Sequence, residues 1–140
     1  MKKVLILGST GSIGVNALNV IRKFPDRFSI AGLTANSNIS VLSEQIKEFN
    51  PQFVVIKDKS KAKELSEIVN QNVEIISSEN ALVEAAQKYD YDILIGAIVG
   101  FAGLTPTIEA IKRGKRIALD KFLKGIIRFS DIPKLIISTR

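Results

Sequence analysis

The chain has 140 residues, 46% apolar and 24% charged, which suits one soluble globular domain with a real core and is short for a complete two-substrate enzyme. It contains no cysteine and no histidine, excluding a disulfide framework, a thiolate metal site and the commonest general base. The net charge of +6 is concentrated at one end: residues 112–140 hold nine Lys/Arg and two Asp/Glu, and the rest of the chain is close to neutral, so neither specific nucleic-acid binding nor a membrane surface is expected.

In chain order, Lys2–Leu7 is a β-branched and leucine run ending at Gly8, and predicts a buried strand. That run is too short for a secretory or membrane-spanning segment, so a cytoplasmic protein is expected. Residues 13–24 repeat apolar side chains at helical spacing until Pro25 stops them, and residues 28–33 read as a second strand. Asn38 or Ser40 can cap a helix whose Ile39, Leu42, Ile46 and Phe49 face one way, before Pro51. Phe53–Ile56 is a third strand, and Asp58 or Ser60 opens a helix carrying Ala62, Leu65, Ile68 and Val69. The Lys57–Lys63 segment reads as its exposed start. Residues 73–76 form a strand, Ser77 or Ser78 caps a helix over 81–89, and residues 93–98 form the next strand. Thr105 as N-cap with Pro106 at the first helical position opens a helix that ends at Gly114, and residues 117–119 make a sixth strand. Residues 120–140 mix apolar and basic side chains without periodicity.

Strands alternating with helices, the strands apolar throughout, imply an α/β fold: a Rossmann-type, doubly wound, mostly parallel sheet with helices on both faces. Such sheets bind ligands outside the carboxyl ends of their strands, where the strand order reverses.

Three junctions carry the chemistry. Gly8, Gly11 and Gly14 are spaced as in G-x-x-G-x-x-G between a strand and a helix, where glycines let backbone approach a pyrophosphate and the helix start offers unpaired N–H groups. Ser9, Thr10 and Ser12 add hydroxyl donors. At the end of the second strand, Leu33-Thr34-Ala35-Asn36-Ser37-Asn38 has no carboxylate to bind an adenosine ribose, and its neutral donors favour NADP over NAD. The third junction runs from Gly96 through Gly100 and Gly103 to Pro106 and belongs on the same sheet edge, near the nicotinamide. Asp90 and Asp92 fall at the opposite edge, as a solvated turn.

On Leu5–Gly14, Ala31–Asn38, Ala97–Thr107 and Ala110–Leu119, the chain resembles the N-terminal domain of 1-deoxy-D-xylulose 5-phosphate reductoisomerase over roughly its first 119 residues. The resemblance implies an enzyme of isoprenoid biosynthesis by the methylerythritol phosphate pathway, which rearranges a phosphorylated ketose and reduces the product with NADPH, using Mg²⁺ or Mn²⁺. It places phosphate contacts on Thr10, Gly11, Ser12 and Ile13, in the loop that Gly8 opens as a cofactor-binding residue, and 2′-phosphate and adenosine contacts near Asn36, Ser37 and Asn38. The family often has a basic residue where Ser37 stands, which implies weaker or less selective cofactor binding here. After Leu119 the family continues Ala-Asn-Lys-Glu, where this chain reads Asp120-Lys121-Phe122-Leu123. Domain boundaries of 1–119 and 120–140 follow, with a replaced end that lacks the family's metal ligands and catalytic residues. A chain without turnover is therefore expected, together with self-association through apolar surface left uncovered. The alternatives are a non-catalytic nucleotide-binding module or another NADP-linked oxidoreductase, such as an aspartate-semialdehyde or dihydrodipicolinate type.

Overall fold

The computed structural model describes residues 1–69, 72–98, 101–118 and 137–138. Its strands are β1 (Lys2–Leu7), β2 (Phe28–Ala35), β3 (Phe53–Ile56), β4 (Glu74–Ile76), β5 (Ile93–Gly96), β6 (Arg116–Ala118) and β7 (Ile137–Ser138). The helices are α1 (Ser12–Arg22), α2 (Ile39–Phe49), α3 (Lys59–Ile68), α4 (Ala81–Lys88) and α5 (Leu104–Lys112), the last preceded by a single 3-10 turn at Phe101–Gly103. They build one sheet in the order β4-β3-β2-β1-β5-β6-β7, parallel from β4 to β6, with β7 antiparallel on β6. The doubly wound fold expected from the alternation is the one formed.

The period-2 geometry of a strand sends β1 to both faces at once. Val4 and Ile6 join Leu18, Ile21, Leu42, Ile46 and Leu65 on the face covered by α1, α2 and α3. Leu5 and Leu7 join Ala85, Ala86, Tyr91 and Ala110 on the face covered by α4 and α5. All four β1 side chains are at most 1% exposed, and fully burying an aliphatic side chain stabilises by about 1.5–3 kcal/mol. On the second face the Tyr91 hydroxyl donates to Ala86 O (2.7 Å), and Arg113 donates to Ala86 O and Tyr89 O, pinning α5 to α4.

Several boundaries differ from the sequence reading. β2 runs two residues further, through Thr34 and Ala35, because Ala35 pairs with Ile56 and is as buried as the residues before it. β5 stops at Gly96, and β4 begins at Glu74. α4 is not capped by Ser77 or Ser78: its N-cap is Asn80, while the Ser78 carbonyl accepts from Ala81 N–H and its hydroxyl donates to Glu84. Ile68 is 48% exposed, so the apolar stripe of α3 is carried by Ala62 and Leu65. β6 covers Arg116–Ala118; Leu119 lies outside the described residues. Of the patternless segment 120–140, only the two residues of β7 are described.

Asp90 and Asp92 occupy the amino edge of the sheet. Asp92 Oδ2 accepts the Lys3 N–H (2.8 Å) and Asp90 pairs with the Lys3 ammonium, which holds the Asp90 carboxyl below its ordinary range. They brace the start of β1, at the opposite end from the glycine loop.

A cleft along the carboxyl edge of the sheet

The chain steps outward from β1 through β2 and β3 to β4, then returns to place β5 on the other side of β1. The order reverses there, and loops leaving β1 and β5 diverge to opposite faces, opening a crevice. A cleft of about 600 Å³ lies along this edge. Its floor and walls come from five strand exits: Gly8, Thr10 and Gly11 after β1; Asn36, Ser37 and Asn38 after β2; Lys57 after β3; Ser78, Glu79 and Asn80 after β4; and Ala97 and Ile98 after β5. Ala102, Thr105 and Pro106, at the start of α5, close the far wall.

The three glycines of the first loop do different work. Gly8 has φ +82°, a conformation that a side chain would strain, and a Cβ there would meet Ile98 Cγ1 at 2.9 Å. At Gly14 a Cβ would lie 2.1 Å from Gly8 O, so α1 can pack against its own loop only through glycine. Gly11 meets no such demand: nothing lies within 4 Å of its missing Cβ, and it is exposed. The fold leaves that space open toward the cleft. Immediately after it, the N–H groups of Ser12, Ile13 and Gly14 precede the first intrahelical bond, from Val15 N–H to Gly11 O (2.9 Å), and are free to meet an anion.

Behind the loop sits a buried polar network. Gly8 N–H donates to Thr34 Oγ1 (2.8 Å), and Ser9 N–H donates to Thr34 O (2.8 Å). The Ser9 hydroxyl donates to Gln45 Oε1 (2.8 Å), and Gln45 Nε2 donates back to Ser9 O (2.9 Å). Ser9 is fully buried and Gln45 8% exposed. The expected phosphate-facing hydroxyl of Ser9 is therefore corrected: it is spent inside the protein, tying β1's exit to β2 and α2. A buried polar group must find a partner, and here the partners fix the loop.

The other predicted positions divide. Gly8, Thr10, Gly11, Asn36, Ser37 and Asn38 all reach the cleft. Ser12 and Ile13 do not line it; Ile13 packs partly against the core, so its backbone is what it can offer. Asn38 has a second task, since its side-chain oxygen accepts Val41 N–H (3.2 Å) as the α2 cap. At the third junction Thr105 is not the N-cap. The helix begins at Leu104 with Gly103 as cap, and Pro106 falls at its third position, tolerated because that N–H would have no intrahelical acceptor. Val99 and Gly100 lie outside the described residues.

Sequence reasoning missed Lys57 and the wall of Ser78, Glu79 and Asn80. Each stands just past the end of a parallel strand, and the rule that ligands gather at the carboxyl ends of strands was the available signal. Asp58, next to Lys57, caps α3 by accepting from Ser60 Oγ (2.7 Å), Ser60 N–H (3.0 Å) and Lys61 N–H (3.4 Å), and the Ser60 hydroxyl bond leads in holding its carboxyl below the usual range. Among the described residues no helix is long and apolar enough to cross a membrane.

A family model described as 1-deoxy-D-xylulose 5-phosphate reductoisomerase matches residues 4–121. The reductoisomerase of Thermodesulfovibrio yellowstonii is 55% identical over 119 residues, and that of Thermoanaerobacter pseudethanolicus 54%. Both alignments cover 85% of this chain and 31% of the relative, so the chain spans about a third of the length of these relatives. Among solved structures, the Zymomonas mobilis reductoisomerase in complex with NADPH matches with a TM-score of 0.77 and 40% identity, over 84% of this chain and 31% of that one. A reductoisomerase in complex with NADPH, fosmidomycin and magnesium matches with a TM-score of 0.79 and 36% identity, over 85% of this chain and 30% of that one.

Proposed function

The chain belongs to the 1-deoxy-D-xylulose 5-phosphate reductoisomerase family, and from that premise we propose that residues 1–119 form an NADPH-binding domain whose cofactor lies along the cleft at the carboxyl edge of the sheet. The observation that carries this reading is Gly11, a glycine the fold itself does not require, standing over open space at the start of a helix and at the reversal of strand order. On this reading the pyrophosphate is held by Thr10, Gly11 and the N–H groups of Ser12 and Ile13, and the adenosine end by Asn36, Ser37 and Asn38. The apolar wall of Ala97, Ile98, Ala102 and Pro106 receives the nicotinamide.

When bound, NADPH supplies a hydride. The activity this domain serves is then the family's: isomerisation of the ketose phosphate and reduction to 2-C-methyl-D-erythritol 4-phosphate, with Mg²⁺ or Mn²⁺. We assign no catalytic or metal-ligating role to any residue of this chain. On this reading residues 120–140, whose sequence departs from the family pattern, are not assigned to the cofactor domain.

The test is a titration of the 140-residue polypeptide with NADPH, followed by nicotinamide fluorescence, beside Gly11→Val. Saturable binding that the variant abolishes without lowering the melting temperature supports the reading; a wild-type chain that does not bind, or a variant that binds equally well, overturns it. The same polypeptide is expected to show no turnover with NADPH, Mn²⁺ and the ketose phosphate, since hydride transfer needs a substrate held against the nicotinamide. Family-like rates would refute that expectation. Leu104 (50% exposed) and Ile108 (39%) sit four residues apart on α5, and we propose this apolar pair as the surface of a self-association that Leu104→Lys should weaken in sedimentation velocity.

A further inference from the structure

We propose that Lys57 sets the preference for a dinucleotide bearing a 2′-phosphate, by supplying the cation that the phosphate meets beside the exit of β2. The inference rests on the cofactor reading above and adds to it a residue that the glycine pattern does not contain.

Among the described residues, two charged side chains line the cleft, Lys57 and Glu79. Lys57 is the first residue past β3, and two backbone bonds fix its place: its N–H donates to Ala35 O (3.0 Å), and Asp58 N–H donates to Asn36 O (3.0 Å). The end of β3 is thereby laced to the segment carrying Asn36, Ser37 and Asn38. Among the described residues, no carboxylate or carbonyl engages the Lys57 ammonium, whereas Lys47 and Lys61 pair with acids on their own helices. The adjacent carboxylate, Asp58, is already committed to capping α3.

Charge placement points the same way. Lys57 and Lys59 flank the α3 cap, and the Asp58 carboxylate between them answers the helix dipole. At the exit of β2, Asn36 and Ser37 present neutral groups with no carboxylate to repel a phosphate. Glu79 stands in the β4–α4 turn, one strand beyond Lys57, so a doubly charged group is favoured toward the β2 side of Lys57 and disfavoured toward β4. A dinucleotide without the 2′-phosphate gives Lys57 nothing to pair with.

The decisive measurement is the dissociation constant of the 140-residue chain for NADPH and for NADH, with Lys57→Gln and Lys57→Arg beside the wild type. A charge-assisted hydrogen bond predicts that Lys57→Gln weakens NADPH about tenfold to a hundredfold and leaves NADH unchanged, while Lys57→Arg retains the preference. Lys57 is exposed, so the three proteins should melt alike. If Lys57→Gln lowers both affinities in proportion, or neither, or if the wild type does not prefer NADPH, the assignment of Lys57 falls while the cofactor reading stands. If the wild type binds neither dinucleotide, both fall.

Discussion

The two glycine-bearing junctions that frame the cleft are built on opposite principles. At the β1–α1 junction every buried polar group behind the loop has an internal partner: Gly8 and Ser9 on Thr34, and Ser9 on Gln45. At the β5–α5 junction the cleft wall is Ala97, Ile98, Ala102, Thr105 and Pro106, the helix begins at Leu104 after Gly103 with no side-chain cap, and Leu104 is half exposed. The first is a rigid seat whose shape is decided inside this chain. The second, in its described residues, turns a mainly apolar surface to the cleft. The difference separates two duties of a dehydrogenase-like fold: gripping the invariant part of a cofactor needs preorganised backbone, whereas positioning a substrate needs groups converging from elsewhere.

The largest effect is expected at Gly14. Alanine is the better helix former by about 1 kcal/mol, so in an ordinary helix Gly14→Ala would stabilise. Here the added Cβ would sit 2.1 Å from Gly8 O and 2.6 Å from Ser9 Cα, and both are backbone atoms held by the network. Either α1 or the loop must shift. A net loss of about 3 kcal/mol in denaturant unfolding, together with loss of NADPH binding, is the expected outcome. A variant as stable as wild type would mean the seat is pliable and would erase the contrast between the junctions.

A smaller loss should follow Gln45→Leu, which keeps roughly the side-chain volume and removes both bonds to Ser9. The Ser9 carbonyl, in a fully buried residue, is left without its amide donor, at a cost of about 1–3 kcal/mol. Because the lost partners hold the β1–α1 loop, the proposed phosphate seat, NADPH affinity should fall, while hydrogen exchange of amides in β5 and β6 changes only as global stability does. Uniform loosening of both junctions would show that the network is part of the general core rather than a support for one loop.

The legibility of the sequence followed the same division. Lys2–Leu7 and Phe53–Ile56 were readable to the residue, since unbroken apolar runs ending at glycine or a charged residue have few alternatives. The glycine loop was equally plain, because its backbone needs a residue type at fixed spacing. Gln45 was not legible: it meets Ser9 from 36 positions away, and a glutamine on an amphipathic helix looks like solvated surface until the helix is docked. Lys57 and Glu79 were passed over for a related reason, as they reach the cleft only once β3 and β4 are ordered beside β2, and strand order is a property of packing. The cap at Ser78 was misplaced because several short polar residues precede α4 and any of them satisfies the pattern, and the cap at Thr105 because the helix starts one residue earlier, at Leu104, behind a glycine.

Those caps supply the finest test of the contrast. Asn38 lies on the β2 side of the cleft and caps α2 through its side chain, so Asn38→Ala should cost about 1 kcal/mol of unfolding free energy. Thr105 belongs to the other side and has the sequence of a cap without its position: it lies inside α5, exposed, while the hydroxyl that bonds backbone at this end is Thr107 Oγ1, donating to Gly103 O (2.6 Å). Thr105→Ala should therefore change stability by less than about 0.5 kcal/mol. The two substitutions remove comparable polar groups from equivalent loop-to-helix boundaries, and they should differ because one boundary is held by its side chain and the other is not. Equal losses in denaturant titrations would place a side-chain cap at both ends of the cleft and leave the glycine loop as the one point where the junctions diverge.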